Sequence, residues 1–149
     1  MKKMNNKGFS LVELIIVIAI MAILIVVLAP QYLKYVERSR NSTDMQTATE
    51  FMDACEVYAA DPEAAHPFAG GDDFQIVSQS GQAGVISDTG NGSVADALAS
   101  TGLNNGDFVC QSRTAWTEMG LYGHVETDGS ITWTASDNNF ATRMNLPAH

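Results

Sequence analysis

The sequence predicts an α+β protein built from a long kinked N-terminal helix whose second half packs on a C-terminal antiparallel β-sheet. Three observations point to it. Residues 9–29, FSLVELIIVIAIMAILIVVLA, are almost wholly apolar and hold one charge, Glu13. Met45, Ala48, Met52, Cys55 and Ala59 then recur at spacings of three and four, with Phe51 and Tyr58 flanking the same stripe. Finally, two runs with strand character, 121–127 and 130–135, flank Asp128-Gly129, a dipeptide favoured in tight hairpin turns.

The apolar run comes first in the chain and is informative by length. As a helix rising about 1.5 Å per residue it reaches about 32 Å, close to the roughly 30 Å hydrocarbon core of a bilayer. Lys2, Lys3 and Lys7 precede it, so the positive-inside rule keeps the short N-terminus cytoplasmic and sends residues 31–149 outside. A secretory signal would have a shorter apolar run followed by a small-residue A-x-A site, whereas here the chain continues as Ala29-Pro30-Gln31-Tyr32. The segment is therefore expected to be retained. Pro30 removes one backbone donor and is expected to kink the helix, which resumes at once and stops at Asp61-Pro62. Residues 9–60 would then form one helix of about 78 Å.

Beyond the apolar run the stripe from Met45 to Ala59 marks a buried face, with Ser42, Thr43, Asp44, Gln46, Thr47 and Glu50 expected on the remaining surface. Tyr32 and Tyr35 lie just past the bilayer, where amphipathic rings are favoured. Residues 62–106 are rich in Gly, Ser and Asp and too long for a simple loop. Within them Phe74-Gln75-Ile76-Val77 suggests a short strand. Ser93-Val94-Ala95-Asp96 suggests a capping box that opens a short helix ending at Ala99 or Ser100, with Gly102 as its cap. Phe108 to Arg113 reads as a further strand.

Charge and composition exclude several functions. Residues 9–149 hold 5 Lys and Arg against 17 Asp and Glu, a net charge of −12, which disfavours contact with nucleic acid phosphates. No G-x-S-x-G, Lys-bearing phosphate loop or H-E-x-x-H is present, and His66, His124 and His149 lack metal-ligand spacing. Neither a catalytic residue, a metal nor a cofactor is expected. Asp88-Thr89-Gly90-Asn91-Gly92 reads as a turn, because glycine stands where a calcium loop needs oxygen ligands. Asn41-Ser42-Thr43 and Asn91-Gly92-Ser93 match the glycosylation acceptor pattern, which recurs by chance. The two cysteines, Cys55 and Cys110, admit one pairing, and an exported location makes that disulfide the expected state.

Lys7-Gly8-Phe9-Ser10-Leu11-Val12-Glu13, followed by the apolar run and Pro30, resembles the class III signal of type IV prepilins and type II secretion pseudopilins. The resemblance is tight over about residues 7–35 and architectural beyond them. It implies the pilin fold and a division into an eight-residue leader (1–8, type IVa-like), a transmembrane and filament-core helix (9–35) and an extracellular globular head (36–149). It also implies cleavage between Gly8 and Phe9 by prepilin peptidase and N-methylation of Phe9. Gly8 suits that step physically, since a residue without a side chain lets the peptide enter a confined site extended. Phe9, Glu13 and Pro30 are the residues it implicates in assembly, with the Glu13 carboxylate pairing with the Phe9 amine of a neighbouring subunit. Many members carry glycine about eight residues before the proline, where this chain has Ala22, the strongest helix former.

The implied partners are other copies of the chain in a helical homopolymer, prepilin peptidase, the pilus assembly machinery and, before assembly, the membrane. The implied location is the cytoplasmic membrane as a single-pass precursor, then the cell surface. A pseudopilin of a secretion or DNA-uptake system is the alternative within the family, separated by the absence of long surface fibres. A single-span anchored receptor is the alternative outside it, separated by an uncleaved Gly8. Assembly is expected to reside in residues 9–35, so that residues 36–149 alone would fold as a soluble acidic monomer.

Overall fold

A computed structural model describes residues 8–90 and 93–149. The elements in chain order are α1 (Leu11–Ala59), β1 (Asp73–Gln79), β2 (Val85–Asp88), α2 (Val94–Ser100), β3 (Glu118–Val125), β4 (Ile131–Ala135) and α3 (Asn138–Met144). The chain divides between Val36 and Glu37 into two units. In the first, Pro30 lies inside α1 without ending it, and every large apolar side chain from Phe9 to Leu28 is exposed.

The second unit is the α+β body, the second half of α1 packed on a four-stranded antiparallel sheet of order β2-β1-β3-β4. Asn41, Asp44, Ala48, Phe51, Cys55 and Tyr58 form the buried stripe of α1, again at spacings of three and four. This stripe is rotated from the expected one. Met45, Met52 and Ala59 are half-buried at its edge, and Asp44, expected on the surface, is fully buried. The lower part of the stripe packs through rings: Phe51 on Phe108 of the irregular segment at 4.8 Å, and Tyr58 on Phe68 at 5.9 Å, which leads to the sheet through Phe68 on Phe74 at 4.9 Å and Phe74 on Trp133 at 5.4 Å. Glycine at 123 is required here, because Phe74 is its cross-strand partner and the ring lies where a Cβ would stand.

Local signals place several elements as read. The Ser93 hydroxyl accepts from the Asp96 N–H and starts α2, and Gly102 follows its end at φ +80°. The expected capping box is half made, since the Asp96 carboxylate pairs with His66 instead of reaching back to Ser93. Between β3 and β4, Gly129 donates to the Glu126 carbonyl and sits at φ +86°, which closes the hairpin as a turn followed by a left-handed glycine. β2 and α3 had no clear sequence signal. α3 is capped by Asp137, which accepts from the N–H groups of Asn139 and Phe140, and the Phe140 ring packs tilted against Trp116 with centroids 5.4 Å apart. The open side of β4 receives Ala148 in a parallel bridge, so that edge is paired.

Phe108–Arg113, expected as a strand, is irregular apart from the single bridge Ala83 to Val109. Its backbone donors go to side chains in place of a ladder. The Cys110 N–H donates to Ser78 Oγ at 2.8 Å, and the next donors are taken by carboxylates of α1.

Candidate assembly helix and carboxylate latch

At the described N-terminus, Gly8 and Phe9 precede the helix and Phe9 is 86 % exposed. Ser10 is the residue before the first helical turn: its carbonyl accepts from the Leu14 N–H, and its own N–H donates to Glu13 Oε2 at 2.9 Å. This is the Glu half of a capping box, Ser10-x-x-Glu13, and it was legible in the sequence as the S-x-x-E spacing. Glu13 thus stabilises the start of α1 while remaining exposed. The lysines at 2, 3 and 7 lie outside the described residues.

From Leu11 the helix has no polar face for about five turns. None of this apolar stretch is buried within the chain. Apolar surface of this extent is stable in only two settings, lipid or a bundle of like helices.

The second constellation was not foreseen. Asp44 Oδ1 accepts from the Gln111 N–H at 2.7 Å, and Oδ2 accepts from the Ser112 N–H and from Trp116 Nε1, each at 2.9 Å. Two turns earlier Glu37 Oε1 accepts from Ser112 Oγ at 2.7 Å and from the N–H groups of Arg113 and Thr114 at 2.8 and 2.9 Å. Arg40 faces its other oxygen at 3.6 Å. The two carboxylates latch residues 111–116 onto α1. Burial works to raise the Glu37 carboxyl, but the N–H of Arg113, the Ser112 hydroxyl and the Thr114 N–H outweigh it and hold its pKa at about 2.

The latch also corrects the disulfide expectation. Cys55 and Cys110 are both free, buried thiols. The Cys110 sulfur lies at the level of Asp44, 3.9 Å from Oδ2, whereas Cys55 is three helical turns further along. The rotation of the stripe and the loop at 110 take the two sulfurs to different levels of the core. Burial pushes both thiols up to about 12, reinforced by Asp88 at Cys55 and by Asp44 at Cys110. Asn41, the first glycosylation candidate, is buried on α1 and closed to a transferase, while Asn91 and Gly92 of the second lie outside the described residues.

Comparison with known proteins adds to this geometry. Residues 3–29 match the model of the prokaryotic N-terminal methylation motif. The fimbrial protein EcpC of Eikenella corrodens is 34 % identical over 141 residues, covering 93 % of this chain and 87 % of its own. A type IV major fimbrial protein FimA of Dichelobacter nodosus is 31 % identical over 141 residues, covering 90 % and 85 %. No solved structure matches. With likeness along nearly the whole chain and the methylation motif at its start, the chain belongs to the type IV pilin family.

Proposed function

We propose that this chain is the structural subunit of an extracellular type IV filament. It is made as a single-pass membrane precursor with residues 1–8 in the cytoplasm, cut between Gly8 and Phe9 by prepilin peptidase, methylated on the Phe9 amine and polymerised through residues 9–35. The observation that carries this reading is the first half of α1, apolar all round, wholly exposed and interrupted by one carboxylate. The pilus machinery would draw subunits from the membrane, so that contacts with lipid are exchanged for packing among helices. Relatives named as fimbrial proteins and matched over most of their length favour a pilus over a pseudopilus.

Glu13 serves two successive states in this scheme. In the precursor its partner is the neutral Ser10 N–H. After cleavage a charged amine is created at Phe9, and a carboxylate and an amine about 4 Å apart attract by about 4 kcal/mol at an effective dielectric near 20. In the polymer that attraction would act between neighbours and set their register.

Expression of Glu13→Ala and Glu13→Gln without the native subunit tests the scheme. Gln preserves the capping geometry and removes the charge. Both variants are expected to insert in the membrane and to lose fibres. Wild-type fibre yield from Glu13→Gln would show that the residue acts only as a helix cap.

A further inference from the structure

The charge of the head is divided by position. Residues 37–149 hold sixteen Asp and Glu but only four Lys and Arg, all of them arginine: Arg38, Arg40, Arg113 and Arg143. The fold gathers the four at the end of the body where α1 enters it. Arg38 and Arg40 stand on the first turn of α1 there, and Glu37 holds the latch segment at the same level through the N–H groups of Arg113 and Thr114. The Arg143 guanidinium lies 5.8 Å from the centre of the Trp116 ring. With Thr114, Ala115, Asn139 and Thr142 it lines a depression of about 320 Å³. The opposite end, at Tyr58, is about 32 Å further along α1. There Asp61 donates its N–H to the Tyr58 carbonyl, the His66 N–H reaches the Tyr58 hydroxyl, and His66 in turn holds Asp96. Asp72 and Asp88 adjoin Asp96 closely enough for the three charges to act on one another.

The carboxylates at the arginine end are already engaged. Glu37 faces Arg40 at 3.6 Å, Asp44 takes three N–H donors and Asp137 caps α3. Arg38, Arg113 and Arg143 are exposed, and none of them has a carboxylate partner among the described residues. Three guanidinium forks, each shaped to grip a phosphate through two parallel N–H bonds, therefore share one end of the head. An extended polyanion laid along the head would run into its acidic remainder, whereas a flat anionic surface would meet this end alone. In the chain, that end follows the apolar run directly. Tyr32, Leu33 and Tyr35 are still exposed, and Arg38 is the third residue after Tyr35. We propose that in the membrane precursor Arg38, Arg113 and Arg143 dock on anionic phospholipid headgroups of the leaflet facing the head, with the acidic end turned away from that surface. This rests on the reading of the first half of α1 as a membrane span.

The test is NMR of the isotope-labelled full-length protein in phosphatidylcholine bicelles into which phosphatidylglycerol is titrated, with inorganic phosphate in plain phosphatidylcholine bicelles as the free-anion arm. The amide signals of Arg113, Thr114, Thr142 and Arg143 are expected to shift saturably with phosphatidylglycerol and not with inorganic phosphate, while those of Asp61 and Asp96 stay in place. Lys2, Lys3 and Lys7 serve as the internal reference, since the leader should respond to the same lipid in every variant. Arg38→Gln, Arg113→Gln and Arg143→Gln should each weaken the response of the head by about fivefold, the scale of one arginine at an anionic surface. All three should unfold at the wild-type urea midpoint and form filaments at wild-type yield. Shifts confined to the leader, equal shifts with inorganic phosphate, or an unchanged titration in all three variants would overturn the proposal. Loss of filaments in the triple variant despite normal insertion would assign the arginine end to the acidic surface of a neighbouring subunit and overturn it as well. Resistance of the wild-type chain to alkaline extraction from cell membranes tests the span separately, so the two readings fail independently.

Discussion

Removing the Asp44 carboxylate should be among the most damaging single changes in the head. Asp44→Ala leaves three donors without their acceptor, the N–H groups of Gln111 and Ser112 and the indole N–H of Trp116. Each hydrogen bond to a charged acceptor contributes about 1.5 to 3 kcal/mol. Gln111 is exposed and can recover its bond from water, whereas Ser112 and Trp116 are buried and cannot. Two unrecovered bonds at about 2 kcal/mol each give a loss of about 4 kcal/mol, partly offset because the carboxylate no longer has to be buried. The net loss of about 3 kcal/mol is a large share of the 5 to 15 kcal/mol that holds a typical domain. With a urea dependence of about 1 to 3 kcal/mol per molar, the unfolding midpoint should fall by roughly 1 to 3 M. Both tryptophans, Trp116 and Trp133, are buried, so their fluorescence reports the transition directly. Asp44→Asn keeps one carbonyl oxygen and turns an amide donor toward the other N–H groups, and it should fall in between. The exposed Asp53→Ala should shift stability by less than about 0.5 kcal/mol. A midpoint for Asp44→Ala matching that of Asp53→Ala would refute the latch as a source of stability.

Further outcomes follow from the same groups. The Glu37 pKa is depressed from 4.5 to about 2 in the folded protein, so its contribution is complete above the unfolded value and is lost as pH falls from about 4.5 toward 2. Wild-type stability should therefore decline across that window more steeply than that of Glu37→Gln, measured as urea midpoint against pH. The two cysteines should resist maleimide in the native protein and both react on unfolding without reductant. Thiols that appear only after reduction would show that a disulfide had formed.

What was legible in the sequence is what local chemistry determines. Ser93 and Gly102 bracket α2 through their own side chain and backbone freedom, Gly129 closes the hairpin by its positive φ, and the uniform apolarity of 9–29 needs no tertiary context. The errors share one origin, two carboxylates, Asp44 and Glu37, whose partners lie 67 to 77 residues away. Nothing near Asp44 marks it as buried, and a periodicity search that counts acids as surface rotates the stripe toward Met45 and Met52. The same bonds deny Phe108–Arg113 a ladder although its composition suits a strand. Glu13 was recognised as unusual for its charge, but its reach back to Ser10 was not, although the S-x-x-E spacing was present.

In the proposed scheme, cleavage at Gly8 creates the amine that Glu13 needs for polymerisation through residues 9–35. Intact-mass analysis of subunits dissociated from purified surface filaments tests it most directly. These subunits should start at Phe9 and carry one additional methyl group on the terminal amine. Filaments built from subunits that retain Met1 to Gly8 would contradict it, because no free amine would then stand at Phe9 for Glu13 to meet.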